Sequence, residues 1–228
     1  LGPEFTQEQI EEELKSVGAN FQTLEYENLL NLTSDYLSKE NAIGWFQGKM
    51  EFGPRALGGR SILGDARSPE MQKKLNLKVK FRESFRPFAP AVLLEDLNDW
   101  FDLESESPYM LLVGKVKLDK LLNISKEHEK LEGLKKLDVV RSIIPAVTHV
   151  DNSARVQTVT NENGIYYDLI KTFKEKTGCP VIVNTSFNIR GEPPVNTPID
   201  AYKCFMATDL DLLVIGNFIL EKEDQINF

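Results

Sequence analysis

The hydrophobic and polar positions along the chain follow two periods, and each predicts a different kind of element. Apolar residues recur at helical spacing in residues 7–14, 26–39 and 163–177. A hydroxyl or amide before such a segment and a glycine beyond it are typical helix limits, and Thr6, Gly18 and Gly178 occupy those places. The same signals predict two further helices, one from Ser68 to about residue 77 and one from Thr197 through residue 206.

Short apolar runs bounded by turn residues predict the strands. These runs cover residues 42–46, 88–94, 109–116, 143–150, 154–159, 180–184, 212–215 and 217–221. Strands mixed with long helices predict an α/β or α+β fold in one compact domain, residues 42–228, preceded by a helical arm or junction, residues 6–41. Residues 1–5 read as a cloning scar and the chain has no initial Met, so we expect a piece of a longer protein.

Residues 78–90 show a pattern of their own, because cations alternate there with other residues before an apolar run. In an extended strand alternate side chains share a face. We therefore expect Phe81 and Phe85 to point into a core and the cations to form the floor of an anion site. A solvated edge strand protected by its lysines is the alternative. The cations of this predicted basic strand are Lys78, Lys80, Arg82 and Arg86.

Charge is distributed unevenly along the chain, and this favours the anion site. Residues 49–90 carry ten cations and four anions, a net +6, whereas the whole chain carries −8. A basic segment in an acidic protein indicates a small polyanionic ligand such as a phosphate compound. The overall acidity argues against a protein that coats nucleic acid.

The cysteines, the histidines and the absence of long apolar runs exclude other classes. Two cysteines without C-x-x-C spacing and two histidines indicate neither a disulfide framework nor a metal centre. We expect a reducing, cytoplasmic setting. No apolar run approaches the length that spans a bilayer. His128 falls in the charged stretch 117–136, where we expect it to be solvated.

Two further segments are candidates for a site. The glycine-rich residues 53–64 surround Arg55 and Arg60, and this allows either close approach of the backbone to a ligand or a tight turn. They match neither a Walker A loop nor a dinucleotide fingerprint. A polar cluster ends the strand 180–184, where it forms either one edge of a ligand crevice or a turn rich in Asn and Ser. Its members are Asn184, Thr185, Ser186 and Asn188.

Taken together, these segments resemble the C-terminal domain of the O-carbamoyltransferases found among nodulation proteins and antibiotic-tailoring enzymes. The resemblance spans roughly residues 42–220 and rests on several motifs together. They are GPRALGGRSIL at 53–63, KFRESFRPFAP at 80–90, PAVTHVD at 145–151 with ARVQTV at 154–159, and NTSFN at 184–188 with GEP at 191–193.

The resemblance implies a YrdC-like fold, a twisted mixed sheet with flanking helices and a concave basic face that holds ATP. It also implies similarity to domains that make threonylcarbamoyl-adenylate, whose K-x-R…S-x-N signature corresponds to Lys80, Arg82, Ser186 and Asn188. Lys80, Arg82, Arg86 and Arg155 would screen the triphosphate. The further binding residues would be Arg55, His149, Asn184, Thr185, Ser186 and Asn188.

The implied reaction joins a carbamoyl group from carbamoyl phosphate to the α-phosphate of ATP, with Mg²⁺ bound through the ATP phosphates. In the family, an N-terminal actin-like domain holds a metal and performs the transfer, and we expect that domain to be missing from this chain. Two alternatives stay open, an RNA-binding YrdC-like module and an inactive docking domain.

Overall fold

The computed structural model describes residues 1–125 and 131–225, which form one mixed sheet of ten strands. The spatial order is β1-β10-β9-β2-β3-β8-β4-β7-β6-β5. The pairs β2–β9 and β4–β7 are parallel, and the other pairs are antiparallel. The strands are β1 Gln22–Thr23, β2 Ile43–Phe46, β3 Arg60–Asp65, β4 Ala89–Leu93, β5 Phe101–Asp102, β6 Leu112–Val116, β7 Ser153–Val159, β8 Val181–Ser186, β9 Leu212–Ile215 and β10 Phe218–Glu221.

Six α-helices accompany the sheet in the described residues. They are α1 Gln7–Ser16, α2 Tyr26–Ser38, α3 Met71–Lys74, α4 Leu97–Trp100, α5 Ile165–Thr177 and α6 Pro198–Met206. The predicted limits are confirmed where local chemistry sets them. Thr6 Oγ1 accepts a hydrogen bond from Gln9 N at 3.3 Å and begins α1, and Gly178 ends α5 with a φ of 75°. The α/β fold class is confirmed.

The centre of the sheet is buried on both faces, since β2, β3, β4 and β9 contain no exposed residue. Continuous apolar runs are typical of such strands. Helix α2 packs on α5, and α1 packs on α6. Leu14, Leu29 and Leu37 of the predicted N-terminal arm belong to the same hydrophobic core as the sheet. Among the described residues, no helix is both long and apolar enough to cross a membrane.

The predicted basic strand is wrong. Helix α3 instead continues as a π-helical turn, Leu75–Val79, and residues 81–87 form a loop with a turn at residues 84–85 before β4. Met71, Leu75 and Val79 are buried at a spacing of four residues, so helical periodicity prevails over the alternation of charges. The expected core positions of Phe81 and Phe85 are wrong as well, because these side chains are 50% and 42% exposed.

Two other strand predictions need correction. Residues 143–150 contain a 3₁₀ turn, Pro145–Val147, instead of a strand, because Pro145 lacks the N–H that a sheet ladder requires. Strand β6 begins at Leu112 and not at residue 109, since Met110 adopts a φ of 55° that breaks an extended chain. His128, expected to be solvated, lies outside the described residues.

The first residues of the chain contact the segment that precedes β3. Gly2 N donates to Met50 O at 2.8 Å, and Met50 N donates to Pro3 O at 3.0 Å. The Phe5 ring lies 6.0 Å from the ring of Phe46. Residues 2–5, set aside above as a cloning scar, therefore form a short extended pairing with the described fold.

Candidate anion-binding site

A cavity of about 290 Å³ lies at the carboxyl end of β8 and collects arginines from distant parts of the chain. One comes from the glycine-rich connection, two from the loop before β4, and one from β7. Among the described residues that line this cavity, none is a carboxylate. Seven of the predicted site residues therefore meet in one place: Arg55, Arg82, Arg86, Arg155, Asn184, Thr185 and Ser186.

Two side chains of this arginine cavity keep hydrogen-bonding capacity unused. The only described partner of the Arg155 guanidinium is Met110 Sδ, 3.8 Å from Nη2, and Arg155 Nε has none. Burial, and then repulsion by Arg55, lower the pKa of Arg155. Asn184 Nδ2 donates to Ala56 O at 3.0 Å and to Gln157 Oε1 at 2.7 Å, while its buried Oδ1 has no partner among the described residues. Buried polar atoms are normally satisfied, so this wall fits a ligand that offers an anionic group to the Arg155 guanidinium and a hydrogen-bond donor to Asn184 Oδ1.

Lys80 lies next to the cavity and fastens the turn after β8. Its side chain is 4% exposed. The ammonium donates to Ser186 O, to Ser186 Oγ at 3.3 Å, to Asn188 O at 3.0 Å and to Asn188 Oδ1 at 2.8 Å. Burial, and secondarily Arg82, lower the pKa of Lys80 to about 7. The lysine, serine and asparagine of the K-x-R…S-x-N signature thus form one hydrogen-bonded unit.

The polar cluster at the end of β8 is both a turn and part of the cavity wall. Ser186 Oγ donates to Asn188 Oδ1 at 2.7 Å, and Asn188 Nδ2 donates to Glu192 O at 2.6 Å. Thr185 and Ser186 are half-buried at the cavity. The two interpretations of this cluster are therefore compatible, because Thr185 and Ser186 line the cavity while Ser186 and Asn188 bond each other within the turn.

The glycine-rich connection, residues 53–64, is held by close contacts with other parts of the chain. Glu51 Oε1 accepts hydrogen bonds from Leu57 N and Gly59 N, each at 2.7 Å. A Cβ on Gly58, whose φ is 111°, would lie 2.4 Å from the ring of Tyr166. Backbone amides that could hold an anion thus hold the carboxylate of Glu51. The result is a fixed loop that carries Arg55 to the cavity.

Arg60, the second arginine of that segment, has a structural position. It is fully buried at the start of β3. Its guanidinium donates to Gln47 O and Gly48 O, each at 3.1 Å, and lies 3.4 Å from the centre of the Phe46 ring. Arg60 therefore joins the chain before β3 to the sheet and does not reach the cavity.

Three residues that the sequence analysis did not single out support the site. Glu51 fixes the glycine-rich connection, as described above. Gln157 Nε2 donates to Leu57 O at 2.9 Å and so holds the same connection to β7. Asn76, fully buried, bonds the loop that carries Arg82 and Arg86. The sequence contains one weak sign of this role, because Asn76 is a polar residue between two leucines within a basic segment.

His149 lies in a neighbouring, larger cavity of about 840 Å³, and Pro87 lines both cavities. His149 Nδ1 is 3.4 Å from Ser153 Oγ, and burial lowers the pKa of the imidazole. The wall combines an apolar part with charged groups at its border. The charged residues are Glu70, Lys73, Lys135, Arg141 and Asp151. Within the described residues, no group of three or more His, Cys, Asp or Glu side chains could hold a metal ion.

Fold and cavity define an α/β domain of one mixed sheet, with four arginines gathered at the carboxyl end of β8. Comparison with known families is more specific, because residues 34–222 match the family described as carbamoyltransferase C-terminus. The chain belongs to this family, and the resemblance seen in its motifs is confirmed.

Several relatives resemble the chain over most of its length. The uncharacterized protein sll1178 of Synechocystis is 54% identical over 99% of this chain and 37% of its own length. Nodulation protein NolNO of Sinorhizobium fredii is 38% identical over 97% of this chain and 30% of its own length. The 3'-hydroxymethylcephem-O-carbamoyltransferase of Streptomyces clavuligerus is 35% identical over 81% of this chain and 31% of its own length. The chain thus spans about a third of the length of these relatives.

Among solved structures, the chain resembles HypF from T. kodakarensis. The TM-score is 0.52 at 17% identity, over 86% of this chain and 24% of that chain. At this identity the likeness concerns the fold alone, and the YrdC-like fold that the motifs implied is confirmed.

Proposed function

We propose that this domain binds ATP and converts a carbamoyl group from carbamoyl phosphate into carbamoyl-adenylate. The observation that carries the proposal is the arginine cavity, where four guanidinium groups converge with no carboxylate among the described lining residues. Arginine suits phosphate because its planar fork matches the oxygen geometry. Membership of the carbamoyltransferase C-terminus family supports the carbamoyl chemistry.

The proposed reaction requires charge stabilisation and no general base. Carbamoyl phosphate reacts with water to give carbamate and phosphate, with the C–O bond to phosphate breaking and the released phosphate taking up both protons of the water. A carbamate oxygen then bonds to the α-phosphorus of ATP. The bond between that phosphorus and the bridging oxygen breaks, and pyrophosphate leaves with the electron pair. Arg82, Arg86 and Arg155 would stabilise the charge that grows on pyrophosphate. The nucleophile is already an anion, so no side chain has to deprotonate it.

The two cavities suggest how the substrates divide. We assign the phosphates to the arginine cavity and the nucleoside to the larger cavity beside His149, whose volume of about 840 Å³ lies in the usual range of ligand pockets. Pro87 lines both, so one nucleotide would extend from one to the other. We expect Mg²⁺ to be held by the phosphate oxygens of ATP.

We also place this reaction in the cytoplasm, a reducing compartment that suits the free thiols of Cys179 and Cys204.

We assign transfer to the final acceptor to the actin-like domain that the resemblance implies. A mixed anhydride such as carbamoyl-adenylate reacts with water unless it is enclosed. We therefore expect residues 1–228 alone to release pyrophosphate slowly, in a reaction that depends on carbamoyl phosphate, and not to carbamoylate an acceptor. Separate assays of pyrophosphate and of carbamoylated acceptor test this, and efficient transfer by this chain alone would contradict the assignment.

Calorimetry tests the binding step directly. ATP with Mg²⁺ is titrated into the domain, and carbamoyl phosphate is then added. Arg82→Ala should weaken ATP binding about 10- to 100-fold, since a charge-assisted hydrogen bond contributes about 1.5–3 kcal/mol. Lys171→Ala, which removes an exposed cation from α5, is the control and should bind ATP like the wild type.

The outcome also separates the alternatives. No binding of ATP by the wild-type domain would refute the proposal. RNA binding with a steep dependence on salt would favour the RNA-binding module instead. Binding of neither ligand would leave the docking domain.

A further inference from the structure

The loop that carries Arg82 and Arg86 has little apolar anchorage. Its residues 83–87 are exposed, and Phe88 is the first residue after them to enter the core. Beneath the loop lies Asn76, fully buried on the π-helical turn that follows α3. Turns of this kind occur often at functional sites.

Both the oxygen and the nitrogen of the Asn76 side-chain amide form hydrogen bonds to this one loop. Asn76 Oδ1 accepts from Arg82 Nε at 2.6 Å. Asn76 Nδ2 donates to Ser84 O at 3.0 Å and to Arg86 O at 2.8 Å. The backbone adds a further bond, from Arg82 N to Asn76 O at 2.9 Å. A single buried residue thus holds the start, middle and end of the loop.

These bonds determine which atoms of Arg82 are available to a ligand. With Nε bound to Asn76, the guanidinium also lies 5.0 Å from the centre of the Phe88 ring. Its Nη atoms form no hydrogen bond within residues 1–125 and 131–225, and Arg82 lines the arginine cavity. An amide can hold an arginine in this way without neutralising it, because the amide carries no charge.

We infer that Asn76 is a positioning residue for the anionic ligand, fixing Arg82 and Arg86 through the loop without contacting the ligand itself. The inference rests on the proposed function only for the identity of the ligand as ATP. Preorganised cations bind an anion more tightly than mobile ones, because the cost of ordering them has been met during folding.

The test is a double-mutant cycle on binding. ATP with Mg²⁺ and, separately, inorganic pyrophosphate are titrated into the wild type, Asn76→Ala, Arg82→Ala and the double variant. Urea unfolding of each variant reports stability. We expect Asn76→Ala to weaken binding about tenfold or more, and the double variant to lose less than the product of the two single losses, since both changes act through the same guanidinium.

A matched control separates positioning from simple destabilisation. Thr33→Val removes a fully buried hydroxyl that donates to Leu29 O at 2.6 Å within α2. No residue of α2 lines the arginine cavity. It should lower stability and leave ligand binding unchanged. If Asn76→Ala does not fold, Asn76→Asp replaces it. The aspartate keeps the size of Asn76 and loses both donors, and it should weaken binding at least as much.

Each result decides the inference. Wild-type affinity in a folded Asn76 variant, or losses that multiply in the double variant, would overturn it. If the wild type binds pyrophosphate but not ATP, the proposed nucleotide function fails, while the cycle measured with pyrophosphate still tests Asn76. If the wild type binds neither, both ideas fail.

Discussion

Replacing Arg155 by methionine should stabilise the free domain and weaken its binding of ATP. Arg155 lies half-buried on β7, and its only described partner is Met110 Sδ at 3.8 Å. Burial and the nearby Arg55 lower the pKa of its guanidinium, so the folded state disfavours the charge that a ligand would need. Methionine keeps much of the length of the side chain and removes the charge.

The magnitudes follow from this environment. An unsatisfied buried polar group costs about 1–3 kcal/mol, and the partial exposure of Arg155 reduces this to about 1 kcal/mol. For a domain of this size that corresponds to a rise in Tm of about 2–4 °C. The loss of a charge-assisted hydrogen bond to phosphate costs about 1.5–3 kcal/mol, and ATP should therefore bind about 10- to 100-fold more weakly.

Urea unfolding and calorimetry measure the two effects on the same samples. Arg67→Met is the matched control, because Arg67 Nη2 lies 2.6 Å from Oδ2 of the buried Asp65. The carboxylate then loses its cation and keeps the bond from the backbone N–H of residue 67. Because Arg67 is partly exposed, the control should lose about 1–3 kcal/mol of stability and keep its ATP affinity. The two substitutions should thus have opposite effects on stability.

A Tm for Arg155→Met below that of the wild type would show that the guanidinium is satisfied in the free domain. Unchanged affinity for ATP would show that Arg155 does not face the phosphates. Either result would refute the interpretation of Arg155 as an unpaired cation kept for a ligand.

Three further predictions concern other parts of the site. Ser186→Ala should weaken ATP binding about tenfold without unfolding the domain, and calorimetry that gives wild-type affinity would reduce the polar cluster to a turn. Stability should rise between about pH 7 and pH 10, because the unfolded chain keeps the Lys80 proton up to its usual pKa while the folded pKa is about 7. Lys80→Met should flatten this slope in urea unfolding at fixed pH, and an unchanged slope would assign it elsewhere. Gly58→Ala should lower the free energy of unfolding by at least about 2 kcal/mol, because its Cβ would lie 2.4 Å from the Tyr166 ring. The control Gly18→Ala, whose Cβ would enter open space, should lower it by about 1 kcal/mol, and equal losses in urea unfolding would contradict the close approach.

Much of the fold could be predicted because local chemistry determines it. Helix α1 begins at a hydroxyl cap, α5 ends at a left-handed glycine, and α6 begins at Thr197 with Pro198 in its first turn. Most of the buried strands appear in the sequence as short apolar runs, whereas β3 was not predicted, because Arg60, Ser61 and Gly64 surround only two apolar residues. These signals involve only three to eight neighbouring residues, so they can be recognised in the sequence without the tertiary structure.

The basic segment could not be predicted in the same way, since two periods compete there. The alternation of charges spans only residues 78–86, whereas Met71, Leu75 and Val79 bury one helical face that begins earlier. Burial of apolar surface outweighs the pattern of charges, because Lys78 and Arg86 remain exposed in the helical arrangement and the buried Lys80 finds hydrogen-bond acceptors in the turn after β8. That this segment supplies cations to a shared cavity was still indicated by the sequence, because charge composition does not depend on the backbone.

The supports of the site were missed because no periodicity or charge run marks them. Gln157 bonds a residue 100 positions away, and Asn76 is one neutral amide that bonds groups 6 to 10 positions along the chain. Glu51 was not singled out from the sequence, yet its carboxylate bonds the backbone of the glycine-rich connection. Sequence patterns identify which side chains could bind a ligand, whereas the groups that orient them emerge only once the chain is folded.

Glu51, whose carboxylate bonds backbone N–H groups of the glycine-rich connection, does not line the cavity. The other supports are neutral amides, and this explains how the cavity keeps its positive charge. Arg82 is held by the amide of Asn76, and the connection that carries Arg55 is held by the amides of Asn184 and Gln157. A carboxylate in any of these places would pair with an arginine and compete with phosphate. In the part of the chain that the structure describes, the one acid bonded to a lining arginine is Glu83, which lies 3.0 Å from Arg86 Nε in the exposed part of the loop, where solvent weakens such a pair.

That difference predicts an order among the arginines. Arg86 is partly neutralised at the border by Glu83, whereas Arg82 and Arg155 face the cavity with no acid bonded to them among the described residues. An incoming phosphate gains more from a cation that has no other partner, because no existing ion pair has to be broken. Arg82 and Arg155 should therefore contribute more to ATP affinity than Arg86, and Glu83→Gln should raise the contribution of Arg86. Calorimetry on these single variants decides the order, and a dominant Arg86 would place the phosphates at the border of the cavity.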